Sequence, residues 1–545
     1  MQLRTMAFVL SMLLLAAGTG HATPVYLWSH TYGDSENQFA GACFADVFGN
    51  TVLCGSFYGS INITTPFTSF GRRDVIIAKF APNGTPLWSD RIGFTSVDTG
   101  WSATSDVVGN VIVVGSTGPN PDERDAFVAR YSPTGVQQWI KYYAATDSIA
   151  YAEVVATDGT KHIHIAGRFN GTINLGGSPL VGAATDDIFL AELDAGGTHI
   201  WSKRFTSGGN FNELGGIVVD NAGQPVLFGS FGGSVNFGGS TLTAPAGGTA
   251  LFLAKFDTNG AHLWSHKYGD TGDQFSESMA IDAAGRICIT GELYGNANFG
   301  GGVLTPVAAP DIFLAAFNTA GTHLWSKRFG GADSEKGIGV AFASNNDVVL
   351  TADGRGPAPV DFGGGPLSAQ VNFFDTFVAR FFPSNGAHRW SAKFAGTGGS
   401  TTAFADEYGG QLILGGDFEG TIDLGGGGVP SGGEGDLFVA RFGDNLTPVG
   451  PSVVRASLAQ NSPNPFNPQT SISYSLASAM RAVIEIIDAS GARVTSIDEG
   501  VQPAGAHATV WNGRDAQGHA AASGVYFYRL AGMPDVAAKK MILLK

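Results

Sequence analysis

"DIFLAAFNTAGTHLWSKRFGG", residues Asp311 to Gly331, reads as an apolar strand, a turn and a second strand carrying one tryptophan. Close copies stand at Asp187 ("DIFLAELDAGGTHIWSKRF") and Leu251 ("LFLAKFDTNGAHLWSHKYG"). The strand tryptophans are Trp28, Trp88, Trp139, Trp201, Trp264, Trp325 and Trp390, at intervals of 51 to 65 residues. The last six follow an apolar strand opening at Asp74, Asp125, Asp187, Ala250, Asp311 or Asp375. A seventh such strand, "DLFVARF" from Asp436, has no tryptophan strand after it, and Trp28 has no apolar strand before it.

Between each tryptophan and the next apolar strand lies another hairpin, as in "GIVVDNAGQPVLFGSF" from Gly216. Its turn reads as opened by Asp46, Asp106, Asp158, Asp220, Asp282 and Asp406, with Ser344 in the remaining copy. A turn glycine supplies the positive φ such a hairpin needs. Each unit therefore holds four short strands. Seven copies of a four-stranded unit are the signature of a seven-bladed β-propeller, expected over residues 25–445. The two orphan strands complete one blade between them, so that "VYLWSHTYG" should pair with "DLFVARF" and close the ring.

Repeats such as "SDVVGNVIVVG" (Ser105 to Gly115) resemble the bacterial β-propeller repeat family. That resemblance implies a fold and almost nothing about function, since propellers host enzymes, lectins and scaffolds.

Composition agrees with many short strands: Gly 79, Phe 38, and only 14% charged residues. The formal net charge of −15 disfavours nucleic acid as a partner. Residues 1–22 read as a signal peptide: Arg4, an apolar run from about Ala7 to Ala17, then small residues ending at Ala22. No transmembrane span is expected in the mature chain.

Several residues invite a functional reading. Asn174, Asn236, Asn298, Asp361 and Asp423 recur in "GTINLGG"-like segments, where calcium ligation competes with capping of a turn. Capping is favoured, because calcium needs several carboxylates close together and these positions lie on different blades. His199, His262, His323 and His388 stand two residues before a tryptophan, and repeat-equivalent residues fan out instead of converging on a metal. His162 and His164 in "KHIHIAG" share a strand face that reads as solvent-facing. Asp270 and Asp273, and Asp333 and Glu335, occupy equivalent loops, which favours a structural role. Two loops break the repeat, Ser116 to Asp125 and Ala352 to Pro359, and are where a site is sought first.

No G-x-S-x-G, H-E-x-x-H, phosphate loop or C-x-x-C is present. No catalytic, cofactor-binding or metal residue is assigned, and no cofactor is expected. Cys43, Cys54 and Cys288 are an odd set. With Gly49 at the left-handed position of the turn, Cys43 faces Leu53 and Cys54 points to the other side, so no Cys43–Cys54 bond is expected.

After residue 445 the pattern changes. Residues 446–457 read as a proline-spaced linker. Residues 458–545 hold roughly seven short strands, which suggests a small Ig-like β-sandwich. "QNSPNPFNP", "VWNGRDAQGHAAASGVYFYRL" and "KKMILLK" resemble the C-terminal sorting domain of type IX secretion substrates, itself similar to the Ig-like domain of flagellar hook-capping proteins. The resemblance implies recognition by outer-membrane secretion machinery and delivery to the medium or outer surface of a Gram-negative-type bacterium. The leading expectation is a non-catalytic binding or surface-scaffold module for an extracellular glycan or protein. The alternative is a secreted polysaccharide or peptide hydrolase or lyase with its site on one propeller face.

Overall fold

Asp311–Phe317 and His323–Phe329 pair antiparallel, as the quoted stretch predicts. The intervening turn forms for local reasons. Gly321 takes φ +75°, and Asn318 Oδ1 accepts the Ala320 and Thr322 N–H groups at 3.0 and 2.9 Å. The computed structural model describes residues 24–443 and 457–544, except 121–122, 147–148, 183–185, 210–211, 309, 397, 459, 462, 477–479, 491, 503–504 and 532–537. The signal segment and linker residues 446–456 lie outside the described residues. The chain divides into two compact units, 1–445 and 446–545.

The first unit is a β-propeller. Among its described residues it contains seven four-stranded antiparallel sheets, the sixth of them extended by one further hairpin, Thr421–Asp423 with Gly428–Pro430. Their innermost strands are Gln38–Ala45, Thr99–Ser105, Ala150–Thr157, Asn212–Val219, Gln274–Ile281, Ser334–Phe342 and Ser400–Tyr408. Each of these packs beside the next, and the seventh packs beside the first. The ring is thus closed. Strand Val25–Tyr32 pairs with Asp436–Gly443 as the outermost strand of the seventh sheet.

The apolar strands are buried along their whole length because neighbouring sheets cover both faces. Each core cluster is shared between two sheets. Val52, Cys54 and Ile77 of the first meet Val111, Phe127 and Tyr131 of the second. Each such aliphatic or aromatic side chain contributes about 1.5–3 kcal/mol when fully buried.

The tryptophans join sheet to sheet. Trp28, Trp88, Trp139, Trp201 and Trp325 each donate Nε1–H to a turn carbonyl of the following sheet, namely Pro82, Pro133, Ala195, Thr258 and Pro383, at 2.9–3.2 Å. This explains the repetition of the hairpin: one side chain serves as core and as inter-sheet tie.

Two turn readings need correction. In the seventh sheet Tyr408 pairs with Gln411 across Gly409-Gly410, so Asp406 opens no turn. A two-residue loop shortens the hairpin there, and Asp406 instead accepts the Ala45 N–H of the first sheet at 2.8 Å. In the sixth sheet the opening position is Ala343, whose carbonyl accepts from Asn346, not Ser344. Asn346 replaces the usual glycine at φ +65°, as its short polar side chain permits.

The cysteine register is as read. Cys43 pairs with Leu53 and Ala42 with Cys54, and all three cysteines are buried and free. Cys43 joins the core toward the seventh sheet, and Cys54 that toward the second.

The second unit packs two sheets, one of three strands and one of four, around Ile472, Ile484, Ile486, Trp511, Tyr528 and Met541. Buried Asn461 of the "QNSPNPFNP" segment ties its lead-in down. Its N–H donates to Tyr528 OH at 2.6 Å, and its Nδ2 donates to Thr470 Oγ1 at 2.9 Å.

Candidate functional site

Each innermost strand carries a β-bulge, and the bulges stand at one level around the ring. The inserted residues are Gly41, Trp101, Glu153, Gly215, Glu277, Ile338 and Ala403. A bulge re-aims a side chain that the regular pleat would direct into a neighbouring sheet. Trp101, Glu153 and Glu277 line the central cavity, of about 610 Å³, together with Arg168 and Glu213. Two residues before the bulges stand Glu213 and, in the sixth sheet, Lys336.

Charge is concentrated on one arc of this mouth. Arg168 Nε donates to Glu153 Oε1 at 2.6 Å and its guanidinium lies 5.6 Å from the Tyr151 ring. Lys336 Nζ lies 3.0 Å from Glu292 Oε1. Burial pushes Glu153 up to about 7 against the pull of Arg168. Burial, then the neighbouring carboxylates Glu292 and Glu213, push Glu277 up to about 8, against Lys336. Burial also raises Glu213, which Arg168 opposes. On the first and second sheets Phe39 and Trp101 are exposed, and Arg73 lies 5.3 Å from the Phe39 ring. The waist is apolar, with Phe44, Met279, Phe342 and Phe404. The sequence reading singled out none of these glutamates. The positions equivalent to Glu153 and Glu277 carry Gly41, Trp101, Gly215, Ile338 and Ala403, and Glu213 stands two residues before its bulge, so the repeat does not mark the three as a set and only the register shows that they meet.

The residues singled out from the sequence lie elsewhere. Asn174, Asn236, Asn298, Asp361 and Asp423 each accept the N–H of the glycine two residues on, at 2.7–2.8 Å, as turn caps. His199, His262, His323 and His388 each reach a serine hydroxyl three residues on, at 3.0–3.1 Å. Burial lowers the pKa of His199, His262 and His323. His162 Nδ1 lies 2.6 Å from Glu192 Oε1. His164, however, is fully buried, with its pKa pushed down to about 4 by desolvation, so the solvent-facing reading is wrong for it. It belongs to the second strand of its sheet, covered on both faces.

Asp270 holds its loop through its backbone, its N–H donating to the Asn296 carbonyl at 2.8 Å. Asp273 accepts from Thr249 N–H, Asp333 from Ala358 N–H and Glu335 from Gly331 N–H, all loop-holding contacts. In the segment Ser116 to Asp125 the described residues belong to the paired strands Val111–Asn120 and Glu123–Tyr131, with Asp125 opposite Thr117. In Ala352 to Pro359, Asp353 is buried and acts on Glu277 electrostatically, which links that irregular segment to the channel. Among the described residues, no group of three or more His, Cys, Asp or Glu side chains is placed to hold a metal ion. No helix among them is long and apolar enough to cross a membrane.

Fold and site define a β-propeller followed by an Ig-like domain. Residues 463–534 match the FlgD Ig-like domain family. An uncharacterized WD repeat-containing protein of Acanthamoeba polyphaga mimivirus is 22% identical over 384 residues, covering 54% of this chain and 27% of that protein. This chain therefore spans little over a quarter of that relative. Among solved structures, the quinohemoprotein alcohol dehydrogenase of Comamonas testosteroni matches at TM-score 0.39 and 12% identity, covering 79% of this chain and 78% of that one. A PL25 ulvan lyase matches at TM-score 0.38 and 10% identity, covering 73% and 92%. Drosophila Semaphorin 2a matches at TM-score 0.38 and 7% identity, covering 96% and 98%. Enzymes and a semaphorin share this likeness, and at these scores it carries no functional argument.

Proposed function

We propose that this chain is an extracellular seven-bladed β-propeller that binds a ligand at the mouth of its central channel and is exported by its C-terminal Ig-like domain. The observation that carries the binding reading is the convergence of Glu153, Glu213 and Glu277, from three sheets, on one cavity that also holds Trp101. The sorting reading rests on the motifs of residues 458–545, and the FlgD Ig-like match over 463–534 supports it.

The same convergence favours one second reading, a carboxylate-based hydrolase or lyase. Glu277, protonated at neutral pH, would be the acid, and a second carboxylate in the same cavity the base. A glycan array, a peptide library and a hydrolase and lyase panel on the mature chain separate the two. Binding without turnover, lost in Trp101→Ala, is the expected result. Turnover abolished by both Glu277→Gln and Glu213→Gln would establish the enzyme instead.

A further inference from the structure

Arg73 and Arg124 stand at equivalent positions of adjacent sheets, each one residue before the aspartate that opens the apolar strand. The other five sheets hold Asp186, Thr249, Pro310, Phe374 and Gly435 there, so the fold itself does not call for arginine. Neither guanidinium has a carboxylate partner among the described residues, and their charges repel each other. Elsewhere in the propeller guanidiniums taken out of water are paired: Arg130 with Asp106, Arg168 with Glu153, Arg204 with Asp187 and Arg380 with Asp347. Arg73 is held in place without being neutralised. Its Nη2 donates to Thr99 Oγ1 at 2.6 Å, and the guanidinium lies 5.3 Å from the Phe39 ring. The charge of Asp98 reaches both arginines, but its oxygens are taken by the Phe94 N–H at 2.6 Å, the Gly118 N–H at 3.3 Å and the Thr117 hydroxyl. Burial lowers the pKa of Arg73 and Arg124 adds to this, against Tyr58 and Asp98.

Both arginines keep surface open to solvent. Two uncompensated guanidiniums within electrostatic reach of each other fit the oxygens of one carboxylate or sulfate, through charge-assisted hydrogen bonds. They serve one anionic group and not a long polyanion, which the net charge of −15 would repel. The rim around them selects the rest of the ligand. At this end of the first two sheets, where the innermost strands begin, the exposed large apolar side chains among the described residues are all aromatic: Phe39, Phe70, Phe94, Trp101 and Tyr142. The exposed aliphatic ones, Val47, Leu87, Val107, Val108 and Val136, lie at the opposite end. Phe39 lies beside Arg73, and the Phe94 and Tyr142 rings are 5.7 Å apart. Open ring faces beside cations suit a pyranose, whose C–H face meets the negative face of an aromatic ring while its acidic substituent meets the guanidiniums. The apolar core of a protein interface would need a patch that these arginines interrupt.

We infer that the rim of the first and second sheets binds an acidic sugar residue, with Arg73 and Arg124 holding its anionic group and the Phe39 ring lying against its pyranose face. This goes beyond the reading of the glutamate-lined cavity and uses none of its carboxylates. The anionic group has two sources, the carboxylate of a uronic acid or a sulfate ester, and both present the same oxygens.

The test is calorimetric titration of the full mature chain with methyl glucuronide, glucose 6-sulfate, the neutral methyl glucoside, sodium sulfate and acetyl-glutamate amide. One or both acidic sugars should bind at micromolar to millimolar concentration. Tighter binding of the glucuronide points to a uronic acid, and of the sulfate ester to a sulfated sugar. The neutral glucoside, the free sulfate and the glutamate compound should each bind at least about tenfold more weakly. Arg73→Gln and Arg124→Gln should each weaken the acidic sugar by a similar factor. Without sugar, Arg124→Gln should melt within a degree or two of wild type, because no described carboxylate pairs with it. It serves as the second variant should Arg73→Gln, which loses the bond to Thr99, not fold. Equal binding of glucuronide, sulfate ester and glucoside, sodium sulfate binding as tightly as the sugars, or no binding of either acidic sugar would each overturn the inference. So would unchanged affinity in both variants. Tighter binding of acetyl-glutamate amide than of either sugar would overturn it in favour of an acidic peptide.

Discussion

The indole of Trp28 covers Gly84 of the neighbouring sheet: a Cβ built on Gly84 would sit 2.8 Å from the ring, and Trp28 Nε1 donates to Pro82 O at 2.9 Å. The relationship recurs as Trp88 on Gly135, Trp139 on Gly197, Trp201 on Gly260, Trp264 on Gly321 and Trp325 on Gly386. Gly84 has φ +87°, so an added methyl meets both strain and the ring. Gly84→Ala should destabilise the propeller by about 1–3 kcal/mol in denaturant titration. Gly427→Ala, at φ +100° with nothing within 4 Å, isolates the strain and should cost less. Equal losses at the two positions would show that the indole contact contributes nothing.

A second prediction concerns a buried ion pair. Lys79 Nζ lies 2.5 Å from Asp46 Oδ2, and the side chains are 1% and 0% exposed. The pattern recurs as Arg130 with Asp106, Lys255 with Asp220 and Arg380 with Asp347. Lys79→Met leaves Asp46 charged and unpaired, and should cost about 3–5 kcal/mol. Adding Asp46→Asn should recover most of that loss, because the amide keeps an acceptor for the Phe48 and Asn50 N–H groups. A double variant no more stable than Lys79→Met would refute the electrostatic account.

Much of this was legible in the sequence. The period of the tryptophans fixes the sheets, and the orphan strands at Val25 and Asp436 announce the closure between them. The turn caps and the Cys43–Leu53 register follow from local hydrogen-bond chemistry. What escaped depends on register between sheets. Asp406 looks like a turn residue because a Gly-Gly loop two residues later is invisible to the repeat. His164 looks exposed because alternation along one strand does not say that both faces are covered. Glu153, Glu213 and Glu277 lie about 60 residues apart in sequence, and they meet through the packing of three innermost strands, with a bulge re-aiming Glu153 and Glu277.

The raised pKa of Glu277 makes stability depend on pH with a definite sign. The folded chain holds this proton more tightly than the unfolded one. The contribution is therefore full below the unfolded value of about 4.3 and is lost as pH rises through about 8. Burial opposes ionisation most, then Glu292, Glu213 and Asp353, and Lys336 favours it. Glu277→Gln should melt like wild type at pH 4 and above it at pH 9, with the difference opening between. A melting-temperature difference independent of pH would exclude this origin.

The cysteines should be inert in the native state. Burial pushes the Cys54 thiol up to about 12 and raises Cys43 and Cys288 further. Thiolate is the reactive species, so a disulfide-exchange reagent at pH 8 should label none of the three until the chain is unfolded, and then all three. Unreduced peptide mapping should find no Cys43–Cys54 link. Rapid native labelling of Cys43 or Cys54 would mean that the first sheet opens far more readily than its closed ring allows.

Export is the last test. Among the described residues, the hydrophobic clusters of the propeller are built from its own side chains, and the cluster around Trp511 and Tyr528 from those of the Ig-like unit. Each core is complete without the other, so each unit should fold alone. A chain ending at Asn445 should then keep the propeller's melting transition. In a host with type IX machinery it should accumulate in the periplasm, because the segment read as a signal peptide accounts only for the inner membrane. An unrelated folded reporter, given a signal peptide and residues 458–545, should reach the surface or medium. Within that fusion Asn461→Ala, which removes the donor to Thr470 and Pro463, should cost about 1–3 kcal/mol and reduce delivery in proportion to the unfolded fraction. Surface arrival of the truncated chain, or retention of the fusion with its Ig-like domain folded, would make residues 458–545 an accessory domain with no part in sorting.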